Sequence, residues 1–265
     1  MFLTREIHEA ITRCEIAGIR CGIEASRRLQ PNVGADAIEV GGGLVAFTGI
    51  DSPLSQAVGV GAFSPVTDVE IVQITAFYQS HGATPRVFVT PLADASLAPG
   101  LARAGYAPAE YENVLASDKF DAYALRDDRI GIAIDVRTWA YASALAFTDR
   151  EDLAPGDEII ALIIASSRGV CPLEAREGGT IVATAAMDVR DECAALFAGS
   201  TMPAFRSRGW HTAMIRDRIA RARDAGAHFM RATARSASVS ERNFHRCGFV
   251  TLYARALWER KHGAL

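Results

Sequence analysis

The sequence predicts an α/β (α+β) chain built from two halves of similar order, and three observations predict it. Helix-period segments alternate with short apolar runs along all 265 residues. Glycine, proline and polar clusters punctuate almost every change of period. The order helix, Gly-aromatic, strand occurs twice. Leu101-Ala102-Arg103-Ala104-Gly105-Tyr106 and Phe244-His245-Arg246-Cys247-Gly248-Phe249 lie 143 residues apart, close to half the chain. The polar stretches Ser117-Asp118-Lys119 and Arg126-Asp127-Asp128-Arg129 mark the boundary, giving domains at 1–125 and 126–265.

In the first half, Glu6–Arg28 carries apolar residues at helical spacing and is broken at Pro31-Asn32-Val33-Gly34. Ala37–Val40 and Leu44–Thr48 read as strands around Gly41-Gly42-Gly43, and Ala57–Phe63 as a third. Asp68 is the expected N-cap of a helix with Val69, Val72, Ala76 and Phe77 on one face. Val87–Thr90 is a buried strand, Ser96–Ala104 a short helix stopped by Gly105, and Tyr106 to Leu115 a returning strand. In the second half, Arg137–Phe147 and Glu158–Ser167 are helical. Cys171–Arg176 and Thr180–Met187 form a hairpin through Glu177-Gly178-Gly179, and Ala194–Thr201 is the next strand. Trp210–Ala225 is a helix, His228–Thr233 a strand, Ser238–Cys247 a helix ended by Gly248, and Phe249 through Trp258 the last strand.

Hydrophobic residues make up 49% and charged residues 22%, which suits a packed core and excludes disorder. No apolar run is long enough to cross a bilayer, and the N-terminus lacks a signal-peptide pattern, so a cytoplasmic location is expected. The five cysteines form no CxxC pair and the six histidines no metal spacing, so neither a disulfide framework nor a metal is expected. The net charge of −3 is unevenly spread. From residue 201 onward, 12 arginines and one lysine face four acids, a local balance of +9 that leaves −12 for the first 200 residues. Such asymmetry points the C-terminal part toward an anionic partner, either nucleic acid or a phosphorylated cofactor. Aromatic residues at 8% and the lack of a recognisable reading helix argue against nucleic acid.

The chemistry-bearing segment is Thr201 to Met214, between an expected strand and an expected helix. Gly209 removes a side chain where backbone must approach something closely, and the first amides of the following helix have no internal partners. Those amides sit at the positive end of the helix dipole and suit a phosphate or pyrophosphate, to which Arg206 and Arg208 add charge-assisted bonds.

Arg206-Ser207-Arg208-Gly209-Trp210-His211 resembles the Q/R-x-x-G-x-G/A signature of Gcn5-related N-acetyltransferases (GNAT). Thr201, Pro203 and Phe205 fit its lead-in, and His211 departs from it, standing where Gly or Ala is usual. Ser240, Arg242, Asn243, Arg246, Gly248, Phe249, Tyr253, Arg255 and Trp258 resemble the closing pattern of a subset of the family. The resemblance spans roughly residues 170–260. It implies two GNAT-like domains, each a mixed, mostly antiparallel sheet flanked by helices, with the N-terminal one degenerate. It also implies acetyl-CoA as cosubstrate, bound by Gly199, Thr201, Met202, Arg206, Ser207, Arg208, Gly209, Trp210, His211 and Thr212, with Asn243 and Arg246 assisting. Arg235, Arg242 and Arg246 either hold the 3′-phosphate of the cofactor or pair with the N-terminal domain, and the sequence does not decide between them. The expected reaction is direct N-acetylation of a small-molecule amine, which requires a base and an acid. Asp188, Asp191 and Glu192 are base candidates in a polar loop before the central strand, with Glu192 preferred. The family's usual acid position holds Phe244, which has no proton to give, and Tyr253 is the alternative acid. An acyl-CoA-binding protein without turnover is the competing reading. Neither nucleic acid nor a membrane is expected as a partner, and a homodimer stays open.

Overall fold

The computed structural model describes residues 1–150 and 152–260. In chain order the elements are α1 (Arg5–Leu29), β1 (Asp36–Val40), β2 (Gly43–Phe47), β3 (Ala57–Val58), α2 (Asp68–Ser80), β4 (Arg86–Val89), α3 (Leu97–Arg103) and β5 (Tyr106–Ser117). They continue with α4 (Phe120–Tyr123), β6 (Ile130–Ile132), α5 (Val136–Thr148), α6 (Ile159–Ala165), β7 (Cys171–Glu177), β8 (Thr180–Arg190) and β9 (Cys193–Thr201). The chain closes with α7 (Trp210–Asp224), β10 (Phe229–Ala234), α8 (Val239–Arg246) and β11 (Val250–Arg260). No helix among the described residues is long and apolar enough to cross a membrane.

These elements form two compact units, an N-terminal one of residues 2–114 joined by the chain from 252 onward, and a C-terminal one of residues 115–251. In the N-terminal unit the strand order is β1-β2-β3-β4-β11-β5, with β1-β2, β2-β3 and β4-β11 antiparallel and β3-β4 parallel. Its core gathers Val45, Ile71, Ile74, Val87, Leu97 and Leu101. Arg255 on β11 is buried, donates to both oxygens of Glu15 at 2.8 Å and to Glu112 at 2.7 Å, and stacks on Phe88. A buried arginine is ordinarily paired in this way. The Tyr-x-Arg-x-x-Trp run at the chain's end thus serves this unit: the Tyr253 ring lies 5.5 Å from His8, and Trp258 packs on the core.

Three details differ from the sequence expectation. Residues 59–63 are turns and not strand, because Gly59 and Gly61 take positive φ of 72° and 76° after only two strand residues. Thr67, not Asp68, caps α2: its hydroxyl accepts from the Glu70 amide at 3.3 Å while Glu70 accepts from the Thr67 amide at 2.7 Å. The buried face of α2 is Ile71, Ile74, Thr75, Phe77 and Tyr78, and Val69 and Val72 are exposed at 68% and 64%. Valine in an exposed helical position adds β-branching without burial, so pattern alone misplaced that face.

The C-terminal unit orders its strands β10-β9-β8-β7-β6, antiparallel except for the parallel pair β10-β9. The sequence did not signal β6, which is three residues long, or α4, which is a single turn. Leu173, Val182, Met187 and Leu196 from the sheet meet Met214, Ile215 and Ile219 of α7 and Phe244 of α8 in one core. Helices α5 and α7 both pack against β8 and β9. Burying each of these large apolar side chains contributes about 1.5–3 kcal/mol.

Thr67→Ala should lower the unfolding free energy by about 1 kcal/mol in urea titration, the usual cost of losing an N-cap. An unchanged midpoint would mean that Glu70 alone satisfies the start of α2.

Candidate functional site

Strand β9 gains one residue against β8. Ala186 pairs with Phe197, but the next pairs are Thr184 with Ser200 and Ala183 with Thr201, so β9 advances three residues while β8 advances two. The extra residue forms a bulge at Ala198, whose φ of 50° is left-handed. A non-glycine residue there costs on the order of 1–3 kcal/mol, held by the strands around it. On its other side, β9 pairs with β10 only through Cys193–Phe229, Ala194–Met230 and Ala195–Arg231. Beyond that the two strands part, although β9 runs on to Thr201 and β10 to Ala234.

The chain leaves β9 through Met202, whose amide donates to Val182 at 3.0 Å, and one tight turn over Pro203–Phe205. Ser207 and Gly209 are both left-handed, with φ of 62° and 82°. A Cβ on Gly209 would meet nothing within 4 Å, so the protein itself does not crowd that position. The glycine answers the φ, and the space beside it is open. Helix α7 then begins with no side-chain cap and no acid in its first turn. Its first bond runs from the Ala213 amide to Gly209 at 3.0 Å, which leaves the Trp210, His211 and Thr212 amides without carbonyls in the helix. A cleft of about 450 Å³ opens against this start, lined by Arg129, Arg208, Gly209, Trp210, Thr212 and Arg216 among others.

The arginines there differ in what they have left to offer. Arg206 is engaged: it pairs with Asp149, donates to Ala146 at 3.0 Å and to Thr201 at 3.2 Å, and so ties the loop to the end of α5. Arg129 is held by Asp127 at 2.6 Å and stacks on the buried Trp210 ring at 4.4 Å. Arg208 is exposed, rests over Phe205 and stands 4.0 Å from Glu177. The buried Nε of Arg216 makes no hydrogen bond among the described residues. Arg208 and Arg216 therefore remain for an anion.

His211 turns inward. Asn243 on α8 accepts from Arg246 at 2.9 Å through its Oδ1, which presents its amide nitrogen to His211 Nδ1 at 3.2 Å. That order makes Nδ1 the acceptor and places the ring proton on Nε2. Nε2 faces β9, where a Cβ on Gly199 would lie 3.4 Å away. Burial, and then the Arg218 charge, push His211 down to about 4, so the ring is neutral at ordinary pH. Phe244 is buried edge-on to His211 and Phe249 and belongs to the core.

The carboxylates are distributed differently from the sequence expectation. Asp188 lies within β8, not in a loop, because β8 runs on to Arg190 and leaves Asp191 and Glu192 as the turn. Asp188 is buried, stands in register with Ala195 at the level where β9 and β10 part, and accepts from Arg190 at 2.8 Å. Its other oxygen, Oδ1, has no hydrogen bond among the described residues, and burial raises its carboxyl above the ordinary aspartate range. Glu192 is exposed, meets His228 at 3.2 Å and lies six residues before the bulge, roughly 20 Å along the strand. Tyr253 is buried in the N-terminal unit. The structure thus brings Gly199, His211, Asn243 and Arg246 together, and Arg208 to Thr212 around the open helix start. It does not gather Glu192 with them, and Tyr253 belongs to the N-terminal unit.

A bulged strand parting from its parallel neighbour, beside an uncapped helix start, defines an α/β domain with an open helix terminus. Residues 136–249 match the model of the acetyltransferase (GNAT) family. No curated protein sequence matches the chain significantly. Among solved structures, a GCN5-related N-acetyltransferase from Kribbella flavida aligns with TM-score 0.63 at 17% identity, covering 92% of this chain and 97% of that one. A tandem GNAT protein from the clavulanic acid biosynthesis pathway aligns with TM-score 0.60 at 11% identity, over 92% and 89% of the two chains. A GCN5-related N-acetyltransferase from Sphaerobacter thermophilus aligns with TM-score 0.56 at 15% identity, over 79% and 73%. At these identities the likeness is one of fold.

The lowered His211 basicity links stability to pH. The unfolded ring takes a proton near 6.5 and the folded ring only near 4. Stability from this group is therefore complete above 6.5 and falls with pH between those values, by at most about 3 kcal/mol. Urea titrations at stepped pH should show His211→Gln losing less stability than the parent across that window. Parallel curves would refute it.

Proposed function

We propose that the C-terminal unit is an acyl-CoA-dependent N-acetyltransferase that passes the acetyl group directly to a small-molecule amine. The single observation that carries the reading is the open start of α7 beside the parting of β9 from β10. The free amides of Trp210, His211 and Thr212, with Arg208 and the unpartnered Arg216 Nε, fit the pyrophosphate of acetyl-CoA in charge and donor count. The space over Gly209 leaves room for it.

In this reading Asp188 is the base. It is buried at the level where the strands part, and its raised basicity brings it nearer the range in which a carboxylate accepts a proton at neutral pH. The thiolate leaves without a dedicated acid, since Phe244 occupies the usual position and a thiol is an acceptable leaving group near neutral pH. The absence of a proton donor at Phe244 also favours a second reading, binding of acyl-CoA without turnover. The C-terminal arginines give less support to nucleic acid than their number suggests. Arg206, Arg221 and Arg223 are ion-paired and Arg218 is buried, so much of the positive charge is spent inside the protein.

Acetyl-CoA at about a hundred times its Kd should stabilise the protein by about 2.7 kcal/mol, read as a rise of several degrees in the thermal midpoint. Gly209→Val places a side chain in the open space and forces a disfavoured φ, and should abolish most of that rise. No shift with acetyl-CoA or CoA in the parent protein would sink the reading. Across an amine panel, Asp188→Asn should lower kcat at least about 100-fold with the acetyl-CoA Kd unchanged. Equal rates would remove Asp188 from the chemistry, and no turnover of any amine by the parent would favour the binding protein.

A further inference from the structure

Beneath the bulge of β9 sits a cation with no ion-pair partner among the described residues. Arg218, two turns into α7, is 0% exposed. Its Nε donates to the Met214 carbonyl at 3.0 Å, and its Nη1 donates at 3.1 Å to the carbonyls of both Ala186 and Phe197. Ala186 and Phe197 are the last regular pair before the register shift, so Arg218 ties down the two carbonyls at the edge of the bulge. Its Nη2 is buried and makes no hydrogen bond among the described residues. The neighbouring Asp217 does not serve it, being taken by Arg221 at 2.6 Å and by Arg126 at 3.4 Å. Burial lowers Arg218 to about 10, which leaves it charged at neutral pH.

A buried guanidinium is ordinarily paired, because removing an ion from water costs several kcal/mol and carbonyl dipoles return only part of it. Here the unpaired Nη2 points at one place. A Cβ on Gly199, one residue past the bulge, would lie 3.5 Å from Nη2 and 3.4 Å from His211 Nε2. At Gly199 a cation and a neutral N–H donor both approach the stretch of β9 that has lost its β10 partner.

We propose that Arg218, assisted by His211, is the fixed positive charge that stabilises the acyl oxygen during transfer. This inference rests on the acyl-CoA reading above. The amine nitrogen attacks the thioester carbon, and the C=O π pair moves onto oxygen, which becomes negative. As that pair returns, the C–S bond breaks and sulfur leaves with its electrons, while the amine proton passes to the base. Negative charge on oxygen exists only between these events, and an oriented cation in a dry interior stabilises it without reorganising. Arg218 does this from beneath the strand as a positioning residue. It pins the bulge through two carbonyls and projects its charge past Gly199.

The test reads the bound thioester itself. Infrared difference spectra of acetyl-CoA labelled with ¹³C at the carbonyl should show its stretch at lower frequency when bound than in water. Arg218→Met should return the band toward the free value, with the acetyl-CoA Kd from calorimetry within about twofold of the parent. Arg218→Lys keeps the charge on a different frame and should retain part of the shift. It also carries the test if the Met protein does not fold. An unchanged band in Arg218→Met, or a Lys protein that binds acetyl-CoA with the band of the free thioester, would overturn the proposal. Failure of the parent protein to bind acetyl-CoA would overturn the cofactor reading first and this inference with it. Binding with an unshifted band in the parent would overturn this inference alone.

Discussion

One inserted residue governs the C-terminal unit. The bulge at Ala198 changes the register between β8 and β9. Past it, β9 has already left β10, whose last paired residue is Arg231. A sheet that opens between two central strands exposes backbone that would otherwise be saturated, and proteins close such openings unless something else uses them. The opening persists because both sides are held independently. Arg218 satisfies the Ala186 and Phe197 carbonyls at the edge of the bulge. Beyond it, Met202 donates to Val182 and restores the bond to β8.

The helix starts of the two units contrast. Each follows a strand and a glycine-containing loop. In the N-terminal unit the start of α2 is filled from within, where one carboxylate of Glu70 takes the Thr67 amide and also the Gly41 amide at 3.2 Å. That carboxylate already occupies the position an anion would take, so this helix start offers nothing to a phosphate. In the C-terminal unit α7 has neither a cap nor an acid in its first turn. The start of α2 is therefore filled where the start of α7 is open.

The legibility of the sequence followed the same lines. Helices with a buried stripe and strands bounded by glycine were readable, and the start of α7 at Trp210 was located to the residue, because left-handed turns and helix starts are local features. Long-range pairing was not readable. Nothing local told Arg206 apart from Arg208, yet Asp149, 57 residues earlier, engages the first and leaves the second exposed. Asp188 read as a loop charge because an aspartate beside Val189-Arg190-Asp191-Glu192 looks solvated. Only the pairing of β8 with β9 through Arg190 shows it to be a strand residue with its carboxyl buried. Arg218 carried no signal at all among the neighbouring arginines of α7.

His211 shows why a departure from a motif need not be a defect. A bulky residue at the second position of α7 would crowd an anion if it pointed outward. Its ring instead lies inward between β9 and α8, oriented by Asn243, which Arg246 orients in turn. The backbone amide at that position is unaffected and still faces outward with its neighbours. One residue thus supplies a main-chain donor on the outer side of the helix start and a side-chain donor toward Gly199 on the inner side. The imidazole comes to ordinary contact distance, 3.4 Å, of the place a Gly199 side chain would begin. Histidine at 211 and glycine at 199 are thus neighbours across the strand and helix, and an account of one includes the other.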